Sequence, residues 1–230
     1  KKYKDKIITD LDIFYLQNLS NLKITITGTN GKSTTAKLLF DILKKHKKDV
    51  RLLGNIGKPI LSEKNIVHNT IFVIEASSYQ IEYSKFFKTD HAMILNISPD
   101  HLERHGTIQN YVHAKFKLIL KQNQNGFAYI DLNNKHLKKE IKKFNPNSKI
   151  INVQMNNLKN IKKFIKNPYF TNVNNLNNLS FILSFSKIFK LDNKKILNTV
   201  NNFKGLNFRQ QIILNSDNVI IINDSKSTSF

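Results

Sequence analysis

The stretch Ile24 to Thr35, ITITGTNGKSTT, limits what this chain can fold into more than any other. Its β-branched opening, Ile24-Thr25-Ile26, predicts a buried strand that stops at Gly28. Gly31-Lys32-Ser33-Thr34 then opens a predicted helix whose apolar residues Ala36, Leu38, Leu39, Ile42 and Leu43 fall at helical spacing. A strand, a glycine loop and a helix headed by Lys-Ser form an arrangement that holds nucleotide phosphates. The glycines let backbone N–H groups turn toward an anion, and the helix N-terminus adds partial positive charge. Lys32 reaches the outer phosphates, and the Ser33 hydroxyl can ligate Mg²⁺. The general phosphate-loop spacing asks for a glycine five residues before Gly31, where this chain has Ile26, so the loop is a short form. A plain glycine turn with a surface lysine is the competing account. The Gly-Lys-Ser-Thr run at a helix start argues against it.

The rest of the chain repeats the same alternation. Val50–Leu53 is a second predicted strand, reached through a basic loop at 44–49 and ending at Gly54-Asn55-Ile56-Gly57, where a ligand can approach backbone closely. Thr70–Ile74 is a third, followed by Glu75-Ala76-Ser77-Ser78-Tyr79-Gln80. Ala92–Asn96 is a fourth, followed by a polar run from Ile97 to Gly106. A helix is expected over Ile108–Lys121 and a fifth strand over Gly126–Asp131. Strands alternating with helices, with polar residues clustered just after the strands, predict an α/β fold. Its sheet is mostly parallel, with helices on both faces and a site at the carboxyl ends of the strands. Further helices are expected over Lys135–Phe144, Asn172–Phe189 and Lys194–Phe203, and a strand near Lys149–Val153. An antiparallel hairpin is expected from Gln211–Leu214 and Val219–Ile222 around the turn 215–218. At the start, Ile7–Thr9 reads as a short strand and Asp10 to Leu16 as a helix.

Composition decides between two partner classes. The net charge is +21, which on its own suggests a nucleic-acid surface. Yet 34 of the 37 basic residues are Lys, the three Arg (Arg51, Arg104, Arg209) lie far apart in sequence, and Asn reaches 32. That Lys/Asn/Ile bias is what an AT-rich genome produces, whereas base reading favours the planar fork of Arg. No nucleic-acid partner is expected. The absence of cysteine rules out disulfides and thiolate metal sites and fits a reducing compartment. No apolar run approaches a membrane span, and KKYKDKIITD has no signal-peptide h-region, so a cytoplasmic chain with no membrane partner is expected.

Three further positions carry chemistry. Glu75 stands at a strand end beside the phosphate-loop region, where a carboxylate can hold Mg²⁺ with Ser33 as co-ligand; a solvated strand-end glutamate is the bland alternative. Asp100, His101, Glu103 and His105 form a dense polar cluster. It offers no third regular spacing that would make a zinc site, and a metal or substrate role for His101 is favoured over a merely polar loop. Lys115 lies on a helix between apolar positions, and spacing alone does not choose it over Lys117 or Lys121.

Taken together, GTNGKST, GNIGKPIL, EASSYQIE, NISPDHLERHG, YVHAK, NVNN, NFRQ and NDSKST resemble the motif order of the Mur ligase family, whose members use ATP to form amide bonds. EASSYQIE points, within the family, to the member that adds D-glutamate to UDP-N-acetylmuramoyl-L-alanine in peptidoglycan precursor synthesis. The resemblance implies a phosphate-loop ATPase-like central domain, a likeness covering nearly the whole chain and weakest over 122–167. It implies that Gly28, Thr29, Asn30, Gly31, Lys32, Ser33 and Thr34 hold the ATP phosphates, and that Ser33 and Glu75 hold one Mg²⁺. His101 and Lys115 would hold a second, with Lys115 carbamylated. Asn55, Ser77, Gln80 and His101 would contact the muramoyl substrate, and Asn172 and Asn175 the adenine. Arg209 and Asp224 would meet the nucleotide, and Lys226 and Thr228 the substrate. Lys32, Glu75, His101 and Lys115 would be the catalytic set. Two positions depart from the family pattern: Thr171 where a His is usual, and Ser229 where an Asn is usual. The implied organisation is a tail of an amino-terminal UDP-binding domain over 1–20, a central ATP-binding domain over 21–205, and the start of a truncated carboxyl-terminal domain over 206–230. A monomer acting on small molecules is expected. The rivals are another ligase of this superfamily, such as a folylpolyglutamate synthase, and a basic nucleotide-binding module acting on nucleic acid.

Overall fold

The computed structural model describes residues 6–209, 211–216 and 218–226. Its centre is a six-stranded sheet in the order β2-β3-β1-β4-β5-β6, with every pair parallel. The strands are β1 (Leu22–Thr27), β2 (Val50–Gly54), β3 (Ile71–Glu75), β4 (His91–Ile94), β5 (Phe127–Ile130) and β6 (Lys149–Asn152). Helices α1 (Asp10–Gln17), α2 (Lys32–Lys45), α3 (Ser78–Tyr83), α4 (Leu102–His105), α5 (Ile108–Leu120), α6 (Lys135–Phe144), α7 (Lys159–Lys162), α8 (Val173–Ile188) and α9 (Asn193–Asn201) connect or flank them. A separate antiparallel hairpin, β7 (Gln211–Asn215) and β8 (Ile220–Asn223), closes the described chain.

Strand side chains alternate between faces, so a sheet covered on both sides needs two cores. One contains Ile24, Ile26, Val73 and Met93 and packs on Leu39 and Ile42 of α2 and on Leu179, Ile182 and Phe185 of α8. The other contains Phe72, Ile74, Ala92, Ile94 and Ile130 and packs on Leu11 and Phe14 of α1 and on Tyr111, Phe116 and Ile119 of α5. The predicted helices on both faces are therefore present.

Local chemistry corrects several expected elements. Ile7–Thr9 is not a strand. Thr9 instead caps α1: its hydroxyl accepts from the Asp12 amide at 3.2 Å while Asp12 accepts from the Thr9 amide at 3.2 Å. The same Asp12 carboxylate is fully buried and accepts from the amides of Lys85, Phe86 and Phe87, with closest distances of 2.8–2.9 Å. Burial pushes its pKa up, the amides pull it down, and the net shift is downward. Lys44 and Lys45, expected in a loop, form the last turn of α2, where cations suit the helix dipole. Helices α3, α4 and α7, and short 3₁₀ turns at Met155–Leu158 and Pro168–Phe170, occupy stretches read as polar or unpunctuated. The hairpin is where it was expected, although Asp217 of its turn lies outside the described residues.

At the base of the sheet, His91 is 5% exposed, bonds the Tyr129 hydroxyl through Nδ1 at 2.9 Å, and stacks on Phe127 at 5.1 Å. Burial lowers its pKa to about 4. The unfolded chain takes up this proton first as pH falls, so His91 leaves stability intact above about 6.5 and erodes it between there and about 4. Denaturant titrations at pH 7 and pH 5 should show a fall that His91→Asn, which keeps a partner for Tyr129, flattens by about 1–2 kcal/mol. An equal fall in both proteins would exclude His91 as the cause.

Candidate functional site

Because β1 lies between β3 and β4, its carboxyl end opens a crevice where the chain direction of the connections reverses. The glycine loop fills that crevice and is fastened to the end of β4. The Thr29 amide donates to the Asn96 carbonyl at 3.0 Å. Asn96 also clasps Asn30 twice, accepting from its amide at 2.8 Å and donating to its carbonyl at 3.0 Å. The Thr29 hydroxyl lies 3.2 Å from the Tyr111 hydroxyl of α5 and accepts from the Ser98 amide at 3.1 Å. The loop is thereby held open before any ligand is considered.

Gly31 caps α2 with φ +80°, and a Cβ there would sit 2.4 Å from the side chain of Asn178 on α8. The backbone therefore favours glycine, and any Cβ would also force the Asn178 amide to move. Gly54 has a different role from the one its loop suggested. At φ +100°, a Cβ on it would sit 2.2 Å from the Glu75 carbonyl, and the next amide, of Asn55, donates to that carbonyl at 3.2 Å. The close approach is made by the backbone of β3, and it fixes Glu75.

Three charged side chains converge here, Glu75 and Lys115 buried and Lys32 half-buried. Lys32 folds back so that Nζ donates to the carbonyls of Gly28 at 3.1 Å and Thr29 at 2.7 Å. Burial lowers its pKa, with Glu75 opposing. Glu75, 3% exposed, pairs in register with Ile26 of β1, and its Oε2 meets no hydrogen-bond partner among the described residues. Burial raises its pKa, while the Ser33 hydroxyl, Lys32, Arg209 and Lys115 hold it down. Lys115, 2% exposed, donates to the Gly28 carbonyl at 3.0 Å and lies 4.5 Å from the Tyr111 ring centre. Burial chiefly, and then the Lys32 ammonium, bring its pKa down to about 7. Lys117 and Lys121 turn away, to the carbonyls of Glu82 and Ser84. The structure thus separates lysines that spacing left equivalent.

A cavity of about 160 Å³ is lined by residues 29–34 with Asp100, His101, Arg209 and Lys226. An adjoining hollow of about 390 Å³ adds Asn55 and Lys37. His101 heads α4 with its Nε2 3.4 Å from Asp100. Loop amides, three cations and one carboxylate with an unmet oxygen suit a polyanion accompanied by a divalent cation. Among the described residues no group of three or more His, Asp or Glu side chains forms a metal cage on its own. A cation held by Ser33 and Glu75 would complete its shell with ligand oxygens.

Other predicted positions lie farther out. Ser77 and Gln80 form the capping box of α3, with Gln80 Oε1 accepting from the Ser77 amide at 3.1 Å. Asn172 caps α8 by accepting from the Asn174 amide at 2.7 Å, and Asn175 is buried and donates to the Tyr169 carbonyl at 2.8 Å. Tyr169 in turn meets Thr34 at 3.3 Å, and Asp224 acts on its hydroxyl electrostatically. Thr228 and Ser229 lie outside the described residues. Asn96, Asn178 and Tyr169 were missed as site supports. The Asn178 contact with Gly31 joins residues far apart in sequence, so no local signal was available for it.

Comparison with known proteins gives concordant results. Residues 26–201 match the family model described as the Mur ligase middle domain. The UDP-N-acetylmuramoylalanine--D-glutamate ligase of Rickettsia prowazekii (strain Madrid E) is 33% identical over 241 residues, covering 97% of this chain and 54% of the relative. The chain thus spans about half the length of the curated relatives it matches. Among solved structures, MurF from Acinetobacter baumannii superposes with a TM-score of 0.70 at 16% identity, covering 93% of this chain and 52% of that one. MurF ligase from Thermotoga maritima in complex with ADP gives 0.66 at 18%, covering 93% and 55%. These likenesses show the same fold.

Gly31→Ala should destabilise the chain by about 1–3 kcal/mol, through the left-handed backbone and the Asn178 overlap. Adding Asn178→Ala should recover only the overlap part. Urea denaturation of the three proteins checks this; full recovery in the double variant would show that the backbone conformation costs nothing.

Proposed function

The chain belongs to the Mur ligase family, and on that premise we propose that it serves an ATP-dependent ligase adding D-glutamate to UDP-N-acetylmuramoyl-L-alanine. The observation that carries the reading is the buried Glu75 carboxylate. Its unpartnered oxygen stands beside Ser33 and Lys32 at the head of α2. The D-glutamate assignment follows the names of relatives near 30% identity, and a nucleotide is supported by the T. maritima ligase, whose structure is a complex with ADP. Under this reading residues 21–205 are the ATP-binding domain. The chain acts on small molecules as a cytoplasmic monomer. Among the described residues no helix is long and apolar enough to cross a membrane.

In the proposed reaction a carboxylate oxygen of UDP-N-acetylmuramoyl-L-alanine attacks the γ-phosphorus of ATP. The bond to the β-phosphate oxygen breaks, leaving ADP and an acyl phosphate. The D-glutamate amine then attacks the acyl carbon, phosphate leaves, and the amine gives up its proton. Two anions meet in the first step, so the loop amides and Lys32 must offset their repulsion. Lys32 would leave its two loop carbonyls to reach the phosphates. Mg²⁺ would be held by Ser33 and Glu75, and a second ion by His101 and Lys115; bound there, the ions supply charge neutralisation. Asn55, Ser77, Gln80, Lys226 and Thr228 would contact substrate, and Asn172, Asn175, Arg209 and Asp224 the nucleotide.

Lys115 suits carbamylation, which needs a neutral amine. A buried amine with a pKa of about 7 is half neutral near that pH. At fixed dissolved CO₂, uptake of ¹³C label should rise from pH 6 to pH 8 and vanish in Lys115→Ala. A carbamate signal that survives that substitution would place the modification elsewhere.

The decisive assay is phosphate release by the chain carried at its relatives' full length, with Mg²⁺, ATP and UDP-N-acetylmuramoyl-L-alanine. D-glutamate, L-lysine and meso-diaminopimelate are added separately. Release with D-glutamate alone is expected, and Lys32→Ala should lower kcat by about 10²–10³-fold. Release with a different amino acid would move the chain to a sister ligase, and near-normal turnover by Lys32→Ala would sink the role given to Lys32.

A further inference from the structure

His105 has no part in the chemistry above, yet it is the one buried side chain of α4. That helix is a single turn, too short to persist by its own hydrogen bonds. It is bracketed by two positive-φ residues, His101 at φ 51° in the left-handed region and Gly106 at φ 74°. For a residue with a Cβ such a conformation costs about 1–2 kcal/mol, so neighbouring structure must hold His101 in it.

His105 supplies the hold. Its Nε2 lies 3.1 Å from the Ser78 hydroxyl of α3, and Nδ1 lies 3.8 Å from the Glu82 carboxylate. Its ring stacks on Tyr79 at 5.4 Å and 13°, and meets Tyr111 of α5 at 5.3 Å. Its carbonyl accepts from Asn110 Nδ2 at 2.9 Å. One imidazole therefore joins α3, α4 and α5. The Tyr79 ring lies in turn 5.3 Å from the ring of His101, which lines the cavity beside the phosphate loop. Ser78, His105 and Glu82 have the residue types of a hydrolytic triad. Ser78 is only 2% exposed, so no substrate reaches its hydroxyl, and its part is that of a buried hydrogen-bond partner.

We infer that His105, bonded to Ser78, is a positioning residue that fixes the left-handed turn aiming His101 into the cavity. The phosphate loop has its own fastening at Asn96 and against Asn178, and shares only Tyr111 with the His105 cluster. Loss of the His105 bond should therefore separate two functions that share one cavity. Nucleotide binding should persist while whatever depends on His101 fails.

The inference rests on the ligase reading for what His101 does, so two readouts are needed. His105→Leu fills the buried space without ring nitrogens, His105→Gln returns a group able to bond Ser78, and Ser78→Ala removes the partner. In the 230-residue chain, the imidazole NMR resonances of His101 should shift and broaden in His105→Leu and Ser78→Ala, and return toward wild type in His105→Gln. At the relatives' full length, kcat should fall about 10–100-fold in the first two, with KM for ATP within about twofold. Unchanged His101 resonances in both variants overturn the inference, as does a KM for ATP that rises as much as kcat falls. If His105→Leu does not fold, Ser78→Ala decides. If the wild-type protein releases no phosphate, the ligase reading fails and the His101 resonances alone judge the positioning.

Discussion

Parallel pairing of β1 with β3 on one side and β4 on the other is the constraint on which the site depends. It sets Ile26 level with both Glu75 and Met93, so three strand ends finish together. The phosphate loop can then take its fastening from Asn96 and its carboxylate from Glu75 without either residue leaving its strand's natural exit. The packing below reinforces this. Two cores, one on each face, keep the sheet from slipping, since a shift of one residue would reverse every side chain.

Above that frame the site concentrates charge where water is scarce. Glu75 and Lys115 are buried and Lys32 is half-buried, and the two lysines share the Gly28 carbonyl as an acceptor. Each group alone would be expensive to desolvate; Glu75 offsets part of that cost for either lysine, the two ammoniums oppose each other, and one carboxylate oxygen is left unmet among the described residues. Such an arrangement suits an incoming anion with its cation, because the fold already fixes the loop amides and only the Lys32 side chain would have to turn from its carbonyls toward the ligand.

Much of this was legible in the sequence. β-branched strands, the glycine loop and the periodic helices carry their own signals, and so the parallel sheet, the phosphate loop and the strand-end location of Glu75 could be read directly. Short elements could not. Helices α3 and α4 are six and four residues long, too brief for periodicity to register, although Ser77 and Gln80 stand at capping-box spacing. Ile7–Thr9 has strand composition but stands outside the sheet, and Thr9 serves as the cap of α1. Lys115 differs from Lys117 and Lys121 only in which way its helix faces. Gly54 announced a close approach, but only the fold reveals that the approaching group is the carbonyl of Glu75. The Asn178 contact joins residues far apart in sequence and has no local trace.

The conformation of His101 has a consequence for any effort to harden this protein. Its left-handed backbone is one that glycine adopts freely, so local stability and the imidazole are in opposition at that position. Selection for heat resistance alone would drift toward glycine there and discard the ring that faces the cavity, yielding sturdier proteins with an emptied corner. The turn at 101 therefore marks a place where foldedness is a misleading proxy for fitness, and libraries built for robustness should hold it invariant.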